Sequence, residues 1–175
     1  YKVRSYKMID KKKAYSKNYS NSKTNTGLIS EVTLISYSSG SNRNTNLRLA
    51  CEAINGLVLK PGETFNWFNT VGKATKAKGY KMATVFVNKK NALGLGGGIC
   101  QVSTTLYQTA KKAKLKIVER HEHSKAVSYT TTGNDATVTY GVNNLRIKNN
   151  KKYAVKLVMK AKKGSTTCKI YKVNY

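Results

Sequence analysis

The sequence predicts an α+β fold, a mostly antiparallel sheet with a central helix that starts at a glycine-rich segment carrying a cysteine and a second, shorter helix before it. Three observations carry this expectation. Apolar residues recur at helical spacing in Leu47–Ile54 and again in Ile99–Leu115. From Lys116 onward the texture changes to short runs rich in Val, Thr, Tyr and Ile, separated by turn residues, as in antiparallel β-structure. A chain of 175 residues suffices for one domain with its own core and divides poorly into two.

Residues 1–26 are rich in Lys, Ser, Asn and Tyr, include Lys11-Lys12-Lys13, and read as a linker or the tail of a preceding domain. The domain proper is expected over 27–175, opening with the apolar material of Leu28, Ile29, Val32, Leu34 and Ile35. Ser41-Asn42-Arg43-Asn44-Thr45-Asn46 offers several N-caps for the helix Leu47–Ile54, which stops at Asn55-Gly56. Cys51 shares a helical face with Leu47, Ala50 and Ile54 and reads as core. Lys60-Pro61-Gly62-Glu63 is a turn, and the aromatic stretch Thr64–Phe68 is strand-like or ordered loop. Met82–Val87 is a strand that Asn88-Lys89-Lys90-Asn91 turns towards Gly96-Gly97-Gly98.

The central helix is expected over Ile99–Leu115, with Val102, Leu106, Ala110 and Ala113 on its apolar face, Cys100 in its first turn, and lysines near its C-terminus where they suit the dipole. Strands are expected at Lys116–His123, Ala126–Thr131, Ala136–Tyr140, Leu145–Lys148, Tyr153–Lys160 and Thr167–Val173. Gly133-Asn134, Gly141, Asn149-Asn150 and Gly164 turn the chain between them. There is no internal repeat.

Lys and Arg number 33 against 7 Asp and Glu, a net charge of +26 that points to a polyanionic partner. The lysines are spread along the chain, which suits a surface adapted to anionic envelope polymers better than a nucleic-acid footprint. The chain opens on Tyr1, shows neither a signal peptide nor a membrane-crossing run, and reads as an excised soluble fragment, with any anchor or export signal upstream. Cys51, Cys100 and Cys168 are odd in number and lack metal-ligand spacing such as C-x-x-C, so a disulfide framework is not expected; no cofactor is expected either.

The chemistry concentrates at Cys100. A helix N-terminus stabilises a thiolate, lowering a pKa of about 8.5 in the free side chain. The N–H groups of Gly97 and Gly98 can cradle an oxyanion. A tight strand-to-helix turn around a small buried Cys reads the same way. Two histidines are present, His121 and His123, which a strand would project from one face with Arg120 and Glu122 pointing away. One can activate Cys100 while the other binds substrate or orients its neighbour. An exposed imidazole pair, or a zinc site of Cys100, His121 and His123 with one open position, fits the same residues. Asp135 either orients a histidine or caps the turn at Gly133-Asn134. Arg43 either binds a carboxylate or phosphate or is a solvated residue at a helix start. Ser103, Thr104 and Tyr107 lie in the helix after Cys100, and Thr104 and Tyr107 share its face as pocket lining or, for Tyr107, core.

Ser41–Asn46, Leu59-Lys60-Pro61-Gly62-Glu63-Thr64-Phe65, Gly96-Gly97-Gly98-Ile99-Cys100-Gln101-Val102-Ser103-Thr104-Thr105-Leu106-Tyr107, Glu119–Ser124 and Gly133–Val138 resemble, in order, the motifs of the VanW domain family. The resemblance runs from about Ile29 to Asn150, and its departures, Trp67 in place of the usual Ser-Phe pattern and Cys51 in place of Ala, lie away from the motif cysteine. It implies an exported or membrane-anchored Gram-positive protein acting on peptidoglycan outside the membrane. It further implies an L,D-transpeptidase with Cys100 as nucleophile and His121 or His123 as base, taking peptidoglycan stem peptides and held near anionic wall polymers. A noncatalytic wall-binding module and a zinc hydrolase are the competing expectations.

Overall fold

The computed structural model describes residues 6–9, 12–15, 27–37, 40–87 and 90–174. Most of the stretch read as a linker, 1–26, lies outside them. Within it β1 (Tyr6–Ile9) and β2 (Lys12–Tyr15) pair as an antiparallel hairpin. The mixed α+β class is as expected.

The main sheet has the order β3-β11-β10-β4, from β3 (Leu28–Ile35), β4 (Val58–Leu59), β10 (Ala154–Lys162) and β11 (Ser165–Val173), with every neighbouring pair antiparallel. Strand alternation puts Val155, Leu157 and Met159 of β10 and Thr166, Cys168 and Ile170 of β11 on one buried face. Two helices cover this face. α1 (Ser41–Ile54) lies against β10, α3 (Ile99–Lys112) lies against β3 and β11, and the helices touch each other. Leu47 and Ile54 of α1 and Val102 and Leu106 of α3 are fully buried there.

A second sheet, β5-β9-β8, joins β5 (Thr64–Asn66), β9 (Arg146–Lys148) and β8 (Lys116–Glu119). It carries Phe65 and Ile147 into the same core as Trp67. β6 (Met82–Val87) and β7 (Lys90–Leu95) form a separate hairpin leading into the glycine run.

Several expectations need correction. α1 begins at Ser41, ahead of the apolar period, because Arg43 and Asn46 are buried by polar partners that a hydrophobic pattern does not register. α1 and α3 therefore have the same length, 14 residues each, and neither is the shorter helix. β7 already begins at Lys90, within the expected turn, while Asn88 and Lys89 lie outside the described residues. The stretch Thr64–Phe68 divides, since Asn66 Oδ1 accepts from the Phe68 and Asn69 amides and so caps a short helix, α2 (Trp67–Thr70). β8 stops at Glu119 instead of reaching His123, and neither Ala126–Thr131 nor Ala136–Tyr140 is a strand. Between Arg120 and Asn143 the backbone keeps two isolated bridges, His121↔Thr137 and Thr139↔Asn143. Side chains hold this segment in place of a ladder: Arg120 Nε and Nη2 donate to the Asp135 and Gly133 carbonyls, and the Ala136 amide donates to Thr104 Oγ1.

Candidate active site

The glycine run is fixed by what surrounds it. A Cβ on Gly97 would lie 2.6 Å from the Ala83 carbonyl carbon, so only glycine lets β6 pass this close. Gly98, at φ +105°, caps α3, and a Cβ there would lie 2.8 Å from Arg43 Cγ. Asn46 Nδ2 donates to both Gly97 O and Lys81 O at 3.0 Å, and its Oδ1 accepts from the Lys81 amide at 2.8 Å. One buried amide of α1 thus fastens the hairpin base to the loop that presents Cys100. Gln101 repeats the device: its Nε2 donates to Leu34 O and Gly164 O, and its Oε1 accepts from Arg43 Nη2 at 2.7 Å.

Cys100 is half-buried in the first turn of α3, its Sγ 3.6 Å from Thr137 Oγ1 and 3.7 Å from Val138 O. The His123 imidazole is the neighbouring group that acts most strongly on the thiol's ionisation. Its Nδ1 lies 2.6 Å from Asp135 Oδ2, which also accepts the His123 backbone N–H at 2.7 Å. With Nδ1 held by Asp135, Nε2 is the nitrogen left for the thiol. Asp135 is only 4% exposed, and Arg120 Nη2 stands 3.4 Å from its Oδ1.

The electrostatics follow from this geometry. Burial opposes ionisation of Cys100, but the influence of the nearby His123, with lesser help from the contacts to Val138 and Thr137, outweighs it and holds the thiol below its ordinary value. Burial likewise opposes charge on His123, yet the nearby Cys100 thiol and the Asp135 carboxylate leave the imidazole raised. Burial pushes the Asp135 carboxyl up, and the two His123 bonds bring it below the usual range. The other thiols behave oppositely. Burial, foremost, pushes Cys51 and Cys168 up to about 12.

The structure brings Cys100, His123, Asp135, Gly97, Gly98 and Arg43 together and leaves His121 apart. With β8 ended at Glu119, the two imidazoles no longer share a strand face. His121 Nε2 pairs with Glu119 Oε1 at 3.0 Å, and its carbonyl accepts the Thr137 amide. Among the described residues no three His, Cys, Asp or Glu side chains are grouped to hold a metal ion. Arg120, expected to point away, clamps the Asp135 loop and stacks over the Tyr107 ring at 5.0 Å. Tyr107 is accordingly a core platform, 6% exposed. Ser103 Oγ donates to Ala136 O at 2.6 Å and Thr104 Oγ1 to Cys100 O at 2.7 Å, so both hydroxyls tie structure instead of facing a pocket.

Sequence reasoning turned Arg120 away from the site and gave no site role to Asn46 and Gln101. The last two carried a signal, polar amides inside amphipathic helices next to chemically loaded residues. Tyr129 was also passed over; burial first, then the nearby Cys100, pushes its phenol up.

Fold and site together define an α+β protein in which a helix-start cysteine, a histidine and a buried aspartate meet. The chain belongs to the VanW-like family: the family model described as VanW like protein matches residues 42–171, reaching past the Asn150 limit read from the motifs. It is similar to the Bacillus subtilis protein YoaR, 40% identical over 136 residues that make up 77% of this chain and 44% of that one. It is also similar to the vancomycin B-type resistance protein VanW of Enterococcus faecalis, 35% identical over 113 residues, 62% of this chain and 41% of the relative. The chain thus spans less than half the length of these relatives. No solved structure matches it.

Proposed function

We propose that this chain is the catalytic domain of a peptidoglycan L,D-transpeptidase acting in the cell wall, outside the membrane. The observation that carries the reading is the Cys100–His123–Asp135 line: a thiol lowered by an imidazole whose far nitrogen rests on a buried carboxylate. A thiolate–imidazolium pair is a nucleophile and an acid in one unit.

The thiolate attacks the carbonyl carbon of the third residue of a donor tetrapeptide stem, and the glycine-run amides receive the oxyanion. As the tetrahedral adduct collapses, the bond to the terminal D-Ala nitrogen breaks, His123 gives its proton to that nitrogen, and a thioester remains. The neutral side-chain amine of a second stem then attacks the thioester and passes a proton to His123. Thiolate leaves, a 3-3 cross-link has formed, and the ion pair is restored. Water in place of the amine gives a trimmed tripeptide. The charge of +26 favours anionic wall polymer as the surrounding matrix.

The test is incubation with disaccharide-tetrapeptides and mass spectrometry of the products. Wild type yields cross-linked dimer or tripeptide, and Cys100→Ala yields neither. Absence of both products from wild type sinks the enzymatic reading and leaves a wall-binding module.

A further inference from the structure

We propose that Thr137 is a further catalytic residue, whose hydroxyl donates a hydrogen bond to the Cys100 sulfur whenever that sulfur carries charge, as the free thiolate and again as the thiolate that leaves the thioester. The thioester step rests on the proposed function, whereas the bond to the free thiolate does not.

The segment after Asp135 sets two groups against Cys100 Sγ, Thr137 Oγ1 at 3.6 Å and Val138 O at 3.7 Å. They are not equivalent. A carbonyl oxygen only accepts, so Val138 can receive the S–H of the neutral thiol and has nothing to offer a thiolate. A hydroxyl turns about its C–O bond and either accepts or donates. Once the thiol proton has left, Thr137 is the one of the two that can turn a hydrogen towards the sulfur.

The hydroxyl is held there by bonds on both sides of it. The Ala136 amide donates to Thr104 Oγ1 at 3.0 Å and the Ala136 carbonyl accepts Ser103 Oγ at 2.6 Å, so this backbone is fastened to the helix that carries Cys100. The Thr137 amide donates to His121 O at 2.9 Å. A β-branched side chain on a fixed backbone has few rotamers, which favours one direction for Oγ1. Asp135 and Thr137, two residues apart, thus serve the same thiol, one through His123 and the other directly.

The bond acts on charge. It favours thiolate over thiol, and a stabilised thiolate is present in larger amount but is less nucleophilic. When an amine attacks the thioester, the C–S bond breaks, its electron pair stays on sulfur, and the Thr137 hydrogen meets that charge while remaining on its own oxygen. The titratable groups that act on the thiol are His123 foremost, with Asp135 behind it, and then Arg43 and Tyr129. All four stay in place when residue 137 is changed.

The experiment measures iodoacetamide alkylation of wild type, Thr137→Val, Thr137→Ala and Thr137→Ser across pH, with folding followed by circular dichroism. Loss of the hydroxyl should raise the midpoint by about 0.5–1 pH unit, the size of one hydrogen bond. It should also raise the plateau rate above the midpoint roughly two- to threefold, because the freed thiolate is more nucleophilic. Thr137→Ser should restore both. A loosened site would slow the plateau, so the paired rise separates a bond to sulfur from a structural role. The proposal is overturned if midpoint and plateau do not rise together in the folded variants that lack the hydroxyl, or if Thr137→Ser behaves as they do. With disaccharide-tetrapeptides at neutral pH, Thr137→Val should form product roughly fivefold more slowly than wild type and Thr137→Ser within twofold of it. The paired rise without turnover by wild type removes the enzymatic reading alone. Turnover by wild type without the paired rise removes this one alone.

Discussion

Asp135 Oδ2 receives two hydrogen bonds from the same residue, the backbone N–H of His123 at 2.7 Å and its ring Nδ1–H at 2.6 Å. The imidazole is pinned at both ends of its side chain, so its free nitrogen has one place to point.

Alkylation should report that geometry. Cys100 is expected to react with iodoacetamide with a pH midpoint below the free-thiol value of about 8.5. Asp135→Asn removes the charge that keeps His123 protonated, so the midpoint should rise and the rate at neutral pH fall roughly tenfold. A midpoint unchanged by both Asp135→Asn and His123→Ala would sink the coupling.

The histidines should part company. His121 belongs to a half-exposed pair with Glu119, so His121→Ala should cost no more than about 1 kcal/mol of stability and leave thiol reactivity within roughly twofold of wild type. If the chain catalyses the proposed reaction, His123→Ala should lower its rate roughly a hundredfold or more. Side-by-side rates decide.

Stability should be greatest in a pH window. Asp135 has a lowered folded pKa, so its contribution is present above the unfolded carboxyl value of about 3.9 and is lost as pH falls through the folded value. His123 has a raised folded pKa, so its contribution is present below about 6.5 and is lost as pH rises through the folded value. Urea midpoints across pH should show both limbs in wild type, a weaker acid limb in Asp135→Asn and a weaker alkaline limb in His123→Gln.

Thr104 joins the two halves of the site, donating to Cys100 O at 2.7 Å and accepting the Ala136 amide at 3.0 Å. Thr104→Val leaves that buried amide without its acceptor and should cost about 1–3 kcal/mol in urea unfolding, while Thr104→Ser should cost less than half as much. A larger loss in Thr104→Ser than in Thr104→Val would make the methyl group, not the hydroxyl, responsible.

Gly97→Ala places a methyl against backbone on β6 that has no side chain to swing aside. A loss of about 1–3 kcal/mol and slowed alkylation of Cys100 are expected. Gly40→Ala, where a Cβ meets nothing within 4 Å, is the control.

Apolar periodicity made α3 legible, because Val102, Leu106 and Ala110 face a core and the rule that reads them is the force that buries them. The strands β10 and β11 were legible for the same reason. The first two turns of α1 were not, since Asn46 and Arg43 are buried by directed hydrogen bonds to Lys81, Gly97 and Gln101 that lie 35 to 58 residues away. Cys100 was visible from its glycines. His123 and His121 could not be separated by spacing, because alternation holds only along a strand and this one ends at Glu119. Arg120 was misdirected by that same assumption.

The strand order also sets a schedule for folding. β3 has a single neighbour, β11, so Val32 waits for Cys168 and Thr33 for Thr167, across both long helices and the whole segment that carries the site. Pairing over such a separation closes late and slowly, because the entropy of a long loop is lost before any ladder forms. Until Ser165–Val173 arrives, the chain has helices and hairpins but no main sheet to hold them, and the thiol has no stable seat.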